Sequence, residues 1–217
     1  SKNHRPTVSN YLTTLPERIQ RRKHHASTIR RPWTYIDPLD SLVLGLAPGE
    51  IGLLLAPFKR GKSLMLQWLA IAYVLQHLNV LLITLETPKS VVEDRLDSII
   101  SQVPIKVINE YPQTLARRFR RFQAMVKKQL NIYDGTQGGV SIQFVEQLLM
   151  AERDAGRLYD AVLIDYDDEI DPVVKHKDRR FEFADIYRDF RQMVSRWGLI
   201  GWTAAQTQRD TDNLKIL

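Results

Sequence analysis

Apolar and polar positions along this chain fall into two kinds of segment. Short apolar runs bounded by turn formers read as strands buried on both faces: Ile51 to Leu55, Asn79 to Glu86, Ala161 to Asp165 and Leu199 to Ala205, with a briefer Asn131 to Tyr133. Between them, apolar residues recur at helical spacing. Ser63 to His77 sets Leu66, Leu69, Ala70, Tyr73 and Val74 on one face. Residues 113 to 130 set Leu115, Phe119, Phe122, Val126 and Leu130 opposite a run of arginines. Ser90 to Ile100 and residues 182 to 197 read as further helices, and Ser141 caps another that runs to Ala155. Leu12 to Arg22 predicts one short helix, capped by Thr13 or Thr14 with Pro16 in its first turn. Leu42 to Leu46, then Ala47-Pro48-Gly49-Glu50, reads as a turn into the first strand. Strands alternating with helices predict an α/β fold, a mostly parallel sheet flanked by helices on both faces.

Composition narrows the setting. With 217 residues, the chain suits one domain with a good-sized core plus an appendage. Cysteine is absent, which excludes a disulfide framework and a cysteine zinc site, and fits a reducing cytoplasmic setting. No stretch approaches the roughly 18 apolar residues of a membrane span, and no signal-peptide core opens the chain. A membrane role is therefore not expected.

Charge changes the picture more than composition does. The net charge is +6, yet residues 1 to 32 carry eight Lys/Arg against Glu17 alone, a net of +7, so the remainder sums to −1. That divides the chain into a basic N-terminal arm or linker, 1 to 32, and a domain from 33 to 217. A second basic patch lies at Arg117-Arg118, Arg120-Arg121 and Lys127-Lys128. Clustered positive charge suits a polyanionic partner, and equally a solvated helix face with a tail.

The chemistry-bearing stretch is Ala56-Pro57-Phe58-Lys59-Arg60-Gly61-Lys62-Ser63, between an apolar strand and an apolar-periodic helix. That is the layout of a phosphate-binding (Walker A) loop, G-x-x-x-x-G-K-[ST], with Ala56 in the first glycine's place. Backbone N–H groups of the loop and of the helix N-terminus cradle phosphate oxygens. Lys62 supplies a charge to the β- and γ-phosphates of ATP, and the Ser63 hydroxyl ligates the bridging Mg²⁺.

In parallel α/β sheets ligands collect at the carboxyl ends of strands, and three more predicted strands end in suitable residues. Asp165 is placed to hold the Mg²⁺ water shell opposite Ser63. Glu86 is placed to accept a proton from an attacking water, and Gln206 to sense the γ-phosphate through its amide. The bland alternatives are a turn-forming aspartate, a surface or capping glutamate and an ordinary strand-end glutamine.

Gly45 to Ser63, Thr84-Leu85-Glu86-Thr87-Pro88, Val162-Leu163-Ile164-Asp165-Tyr166 and Ala205-Gln206-Thr207-Gln208-Arg209 resemble, in order and spacing, the successive motifs of DnaB-type replicative helicases. Ile132-Tyr133-Asp134 with Ser141-Ile142 resembles the segment before that family's metal-site aspartate. Alanine at position 56 agrees with the family. The resemblance covers about Trp33 to Arg209. It implies a RecA-like P-loop ATPase that uses ATP and Mg²⁺, assembles as a homo-oligomeric ring, a hexamer, and translocates on single-stranded DNA. Glu86 would be the catalytic carboxylate, Asp165 the metal-site residue and Gln206 the coupling sensor, and the basic arm would match the linker that packs on a neighbouring subunit. Three departures stand out. Asp167-Asp168-Glu169 follows the metal-site aspartate and offers a rival base. The family's DNA-contact loop and arginine finger would lie beyond Leu217, so that the C-terminal part is expected to be truncated, with Arg209 and Lys215 as candidate cations. The primase-contact domain would lie before Ser1. A recombination or loader ATPase of RecA type, and a nucleotide-gated interaction module with little turnover, are the alternatives.

Overall fold

The computed structural model describes residues 13–28, 31–165, 170–172, 176 and 179–207. Its five strands are β1 Ile51–Ala56, β2 Val80–Thr84, β3 Leu130–Asp134, β4 Ala161–Asp165 and β5 Ile200–Gln206. All pair in parallel, in the order β1-β5-β4-β2-β3. The helices are α1 Leu15–Thr28, α2 Asp37–Leu42, α3 Lys62–Leu75, α4 Lys89–Ser101, α5 Pro112–Met125, α6 Ile142–Asp154 and α7 Arg179–Trp197, with a 3₁₀ segment at Ile105–Glu110.

The strand order explains how both sheet faces are covered. From β1 through β2 to β3 the chain marches one way along the sheet, and from β3 through β4 to β5 it marches back. Crossovers between parallel strands are right-handed, so reversing the direction moves the connecting helices to the opposite face. The two hydrophobic cores follow. On one face Val80, Leu82, Ala161, Leu163, Ile200, Trp202 and Ala204 pack against α3 and against Val92 and Leu96 of α4. On the other, Leu81, Ile83, Val162 and Ile164 meet Val145 and Leu149 of α6 and Ile186, Phe190, Met193 and Val194 of α7. Successive strand residues point to opposite faces, so one unbroken apolar run feeds both cores. Each fully buried large aliphatic side chain contributes roughly 1.5–3 kcal/mol.

α3 is largely buried: residues 66, 67 and 69–74 lie within the fold while Leu64, Met65 and Trp68 stay exposed, as expected of a helix held between the sheet, α4 and the segment that precedes β1. That segment is tied down by Trp33, which exchanges backbone hydrogen bonds with the Gln76 amide, and by the Trp68 indole, which donates to the Thr34 carbonyl. Between the core strands and α3, the Trp202 indole N–H donates to the Tyr73 hydroxyl at 2.7 Å, and burial pushes that phenol up to about 12. β1 has Gly52 because the Trp202 ring lies where a Cβ would be.

Several boundaries differ from expectation. α1 runs to Thr28 rather than to residue 22. α5 stops at Met125 rather than 130, because the chain there turns into the sheet: Val80 N–H donates to the Gln129 carbonyl and β3 opens at Leu130. Lys127 and Lys128 therefore follow the helix instead of riding on it. α2 and the 3₁₀ segment were not foreseen; α2 is six residues long, started by Pro38 at its head, too short to show a period. Contacts divide the chain into two units, Ser1–Arg30 and Arg31–Leu217. Arg31 falls with the larger one, where its guanidinium pairs in bidentate fashion with Glu50 at 2.9 and 3.0 Å.

Candidate functional site

The carboxyl ends of β1, β2 and β5 open on one cavity of about 840 Å³, and the end of β4 meets it through Ser63. Phe58, Lys59, Arg60, Gly61, Lys62 and Ser63 line it, together with Glu86 and Gln206. The loop from Ala56 to Gly61 is held open by left-handed backbone at Lys59 (φ 58°) and Gly61 (φ 84°). Gly61 is the N-cap of α3, where a side chain would have space but a strained φ. Ala56 and Pro57 stay behind the lining, and their carbonyls accept from Lys62 Nζ at 3.1 and 3.4 Å. The loop thus folds round its own lysine.

Ser63 and Asp165 are 102 residues apart in sequence and touch in space: Ser63 Oγ donates to Asp165 Oδ1 at 2.9 Å. α3 presents the hydroxyl in its first turn, and β4 presents the carboxylate as its last residue. Asp165 is only 2% exposed. Burial pushes its carboxyl up from 3.8 to about 6; the Ser63 hydrogen bond opposes that, the nearby Glu86 charge adds to it, and Arg95 and Lys62 oppose it. With one donor on its carboxylate, Asp165 keeps acceptor capacity for something else. Serine hydroxyl and carboxylate are hard oxygen donors of the kind Mg²⁺ takes. Among the described residues no cluster of three or more His, Asp or Glu could hold a metal. A cation here would complete its shell with water and phosphate, which is how Mg²⁺ is held in phosphoryl-transfer sites.

Glu86 lies two residues past the end of β2 and is exposed to the cavity. Its approach is fixed by Leu85 N–H, which donates to the Asp165 carbonyl at 2.8 Å, and by Thr84, whose hydroxyl donates to the Thr87 carbonyl. Gln206 ends β5 opposite Ala56 in register, beside the phosphate-type loop. The structure thus brings Lys62, Ser63, Glu86 and Gln206 to one cavity, with Asp165 bonded beneath. Asp167, Asp168, Glu169, Arg209 and Lys215 lie outside the described residues.

One wall was missed at the level of sequence. Val91, Arg95, Ser98 and Ile99 of α4, with Ile105, complete the cavity. Arg95 adds a cation from α4 to Lys59, Arg60 and Lys62 of the loop. The signal was available, because positions 91, 95, 98 and 99 share a helical face and α4 begins three residues after Glu86.

No family model matches this chain, and no curated protein matches it in sequence. Solved structures do. A structure of a DnaB-like replicative helicase, described with its interactions with primase, superposes with a TM-score of 0.81 over 96% of this chain at 16% identity. A second solved structure, described as an ATPase domain, superposes with 0.77 over 96% at 16%. The chain spans about half (51%) of the first protein's length and 75% of the second's. The fold is RecA-like, that of replicative-helicase ATPase domains. The likeness is one of fold, at 16% identity in both cases.

Proposed function

We propose that this domain binds and hydrolyses ATP with Mg²⁺ and is the motor of a DnaB-like helicase, assembling as a ring-shaped hexamer around single-stranded DNA. The observation that carries the reading is the Ser63–Asp165 hydrogen bond at the floor of a cavity shared by Lys62, Glu86 and Gln206. Two hard oxygens, a cation on a backbone cradle and an exposed carboxylate are what hydrolysis of a nucleoside triphosphate requires.

Each residue then has a task. Loop N–H groups and the α3 N-terminus hold the phosphates. Lys62 exchanges its loop carbonyls for phosphate oxygens. Ser63 and Asp165 would hold the Mg²⁺, which would supply charge neutralisation to the phosphates. Glu86 accepts the proton of the attacking water, and Gln206 reports the γ-phosphate to β5. Arg95 adds positive charge at the wall opposite the loop.

The test uses the assembled, full-length protein. Lys62→Ala should abolish tight ATP binding by calorimetry with Mg²⁺ present, and equal affinity in mutant and parent sinks the loop assignment. Glu86→Gln should still bind ATP while turnover falls by roughly 10² or more, the share of a positioned base. Asp168→Asn and Glu169→Gln should stay within a few-fold of the parent; if either abolishes turnover and Glu86→Gln does not, the base is misassigned. Particle images with ATP and single-stranded DNA should show rings, and filaments would refute the helicase reading in favour of a recombination-type ATPase.

A further inference from the structure

Residues 102 to 130 contain seven Lys/Arg and one acidic residue, Glu110, a net of +6. Residues 1 to 32 hold +7, and taking both stretches from the total of +6 leaves −7 for everything else. No Asp or Glu occurs between Glu110 and Asp134. The structure shows what becomes of these cations. α5 lays Phe122 against the core, with Val126 just beyond its end, and Arg118 is spent inward, its guanidinium donating to the Ser101 carbonyl at the end of α4. Arg117, Arg120 and Arg121 point outward on α5, and Lys127 and Lys128 continue them along the connection to β3, all exposed. None of these five pairs with a carboxylate among the described residues.

On the opposite sheet face several arginines are paired with carboxylates. There Arg196 pairs with Glu146, Arg188 with Asp185 and Asp189, and Arg157 with Glu152. On α5, Arg117 and Arg120 are three apart and Arg117 and Arg121 four apart, spacings at which like charges repel and weaken the helix. Such repulsion is relieved by an anion from outside.

We propose that the surface from Arg117 to Lys128 is a nucleic-acid site for the phosphate backbone of duplex DNA, distinct from the nucleotide cavity, whose lining contains no α5 residue. Protein partners are anchored by apolar pockets and aromatic side chains, and along 117–128 Met125 is the one large apolar side chain left exposed. Single-strand binders stack bases on exposed aromatic rings, whereas Phe119 and Phe122 are turned into the fold and half-buried. What remains is charge without readout, which suits the dense phosphate backbone of a duplex, one charge per about 1.7 Å of axis. The site goes beyond the proposed motor and its single-stranded track, and does not depend on ATP.

The probe is a fluorescein-labelled mixed-sequence 20-base-pair duplex, titrated without nucleotide from 50 to 200 mM salt. The full-length parent is compared with a variant carrying Gln at positions 117, 120, 121, 127 and 128. Each phosphate contact contributes about −0.9 to the slope of log K against log salt, so the variant's slope should flatten by about 3 to 4.5 and its affinity at 100 mM salt fall at least tenfold. A 20-mer single strand should lose less. Unchanged duplex affinity and slope, no duplex binding by the parent at 50 mM salt, or a loss confined to single strands each overturn the proposal. Glutamine keeps helix propensity close to that of arginine, so the circular dichroism and thermal midpoint should match or exceed the parent's. Should the fivefold variant fail to fold, Arg117→Gln and Arg121→Gln alone should each flatten the slope by about 0.9, and no change in either overturns it. Lys62→Ala should leave duplex binding intact, which separates this site from the nucleotide reading.

Discussion

Two carboxylates in this domain are held in opposite ways. Asp165, at the end of β4, is buried, receives one hydrogen bond, and is pushed up to about 6 chiefly by that burial. Glu152, on α6 beside a smaller cavity of about 310 Å³ at the β3 edge, receives two guanidinium bonds from Arg157 and one from the Tyr159 hydroxyl, all at 2.6 Å. Those donors, Arg157 first, hold it down to about 2. Both groups sit near cavities, and only one is available. Glu152 is saturated: it locks Tyr159, which in turn accepts from the Asn131 amide of β3, and so staples an edge strand to α6. Asp165 is under-supplied, charged at a cost, with acceptor capacity unused. A carboxylate that the fold leaves short of donors is the one to examine for a ligand.

Substitution should separate the pair sharply. Asp165→Asn should reduce Mg²⁺-dependent nucleotide affinity or turnover by roughly 10- to 100-fold, the usual cost of disturbing the groups around a metal. The same change should stabilise the ligand-free protein at pH 7 by about 1–2 kcal/mol, since it removes a charge that burial disfavours. Denaturant melts read the second effect, and an Asn variant that is both less active and less stable would contradict the contrast. Glu152→Gln should do the reverse, leaving turnover within a few-fold and lowering stability by about 1 kcal/mol or less, as befits an ion pair near the surface.

The smallest effect is in the pH dependence, where the two carboxyls have opposite signs. Between about pH 4 and 6 the folded state keeps a proton on Asp165 that the unfolded chain has released, so this group lowers stability as pH rises through that window. For Glu152 the unfolded chain takes up a proton first, so its contribution, present above its ordinary 4.5, is lost as pH falls toward 2. Measured as stability differences from the parent, the gap for Asp165→Asn should therefore open above about pH 4, and the gap for Glu152→Gln should close below 4.5. Parallel profiles for the two variants would remove the distinction.

Sequence alone carried most of the sheet, because β2 and β4 are apolar at every position but the last and strands of that kind have few other readings. It also carried Lys62, Ser63, Glu86, Asp165 and Gln206 to strand ends or helix starts, since turn chemistry and the apolar period mark where elements stop. It did not carry the α4 wall. Arg95 reads as one charge among Glu93, Asp94 and Asp97, and only packing of Val92 and Leu96 into the core decides which way that helix is rolled. Nor could it give the end of α5. Apolar periodicity continues through Val126 to Leu130, while competition from β3 pairing cuts the helix short at Met125. The Glu152–Arg157–Tyr159 cluster is invisible in one dimension, because its anchor on Asn131 depends on the β3 edge lying against α6.

The sheet order has a consequence for how this protein comes into being. Among the described residues β1 pairs with β5 alone, Ile51 against Gly201 through Ala56 against Gln206. The strand that carries the phosphate-type loop therefore has its neighbour 150 residues downstream. Closing so long a span loses chain entropy before any contact rewards it. β2, β3 and β4 can assemble among themselves while the loop that begins at Ala56 still hangs on an unpaired strand. The cavity at the strand ends is thus among the last parts to be completed, after β2, β3 and β4 have paired.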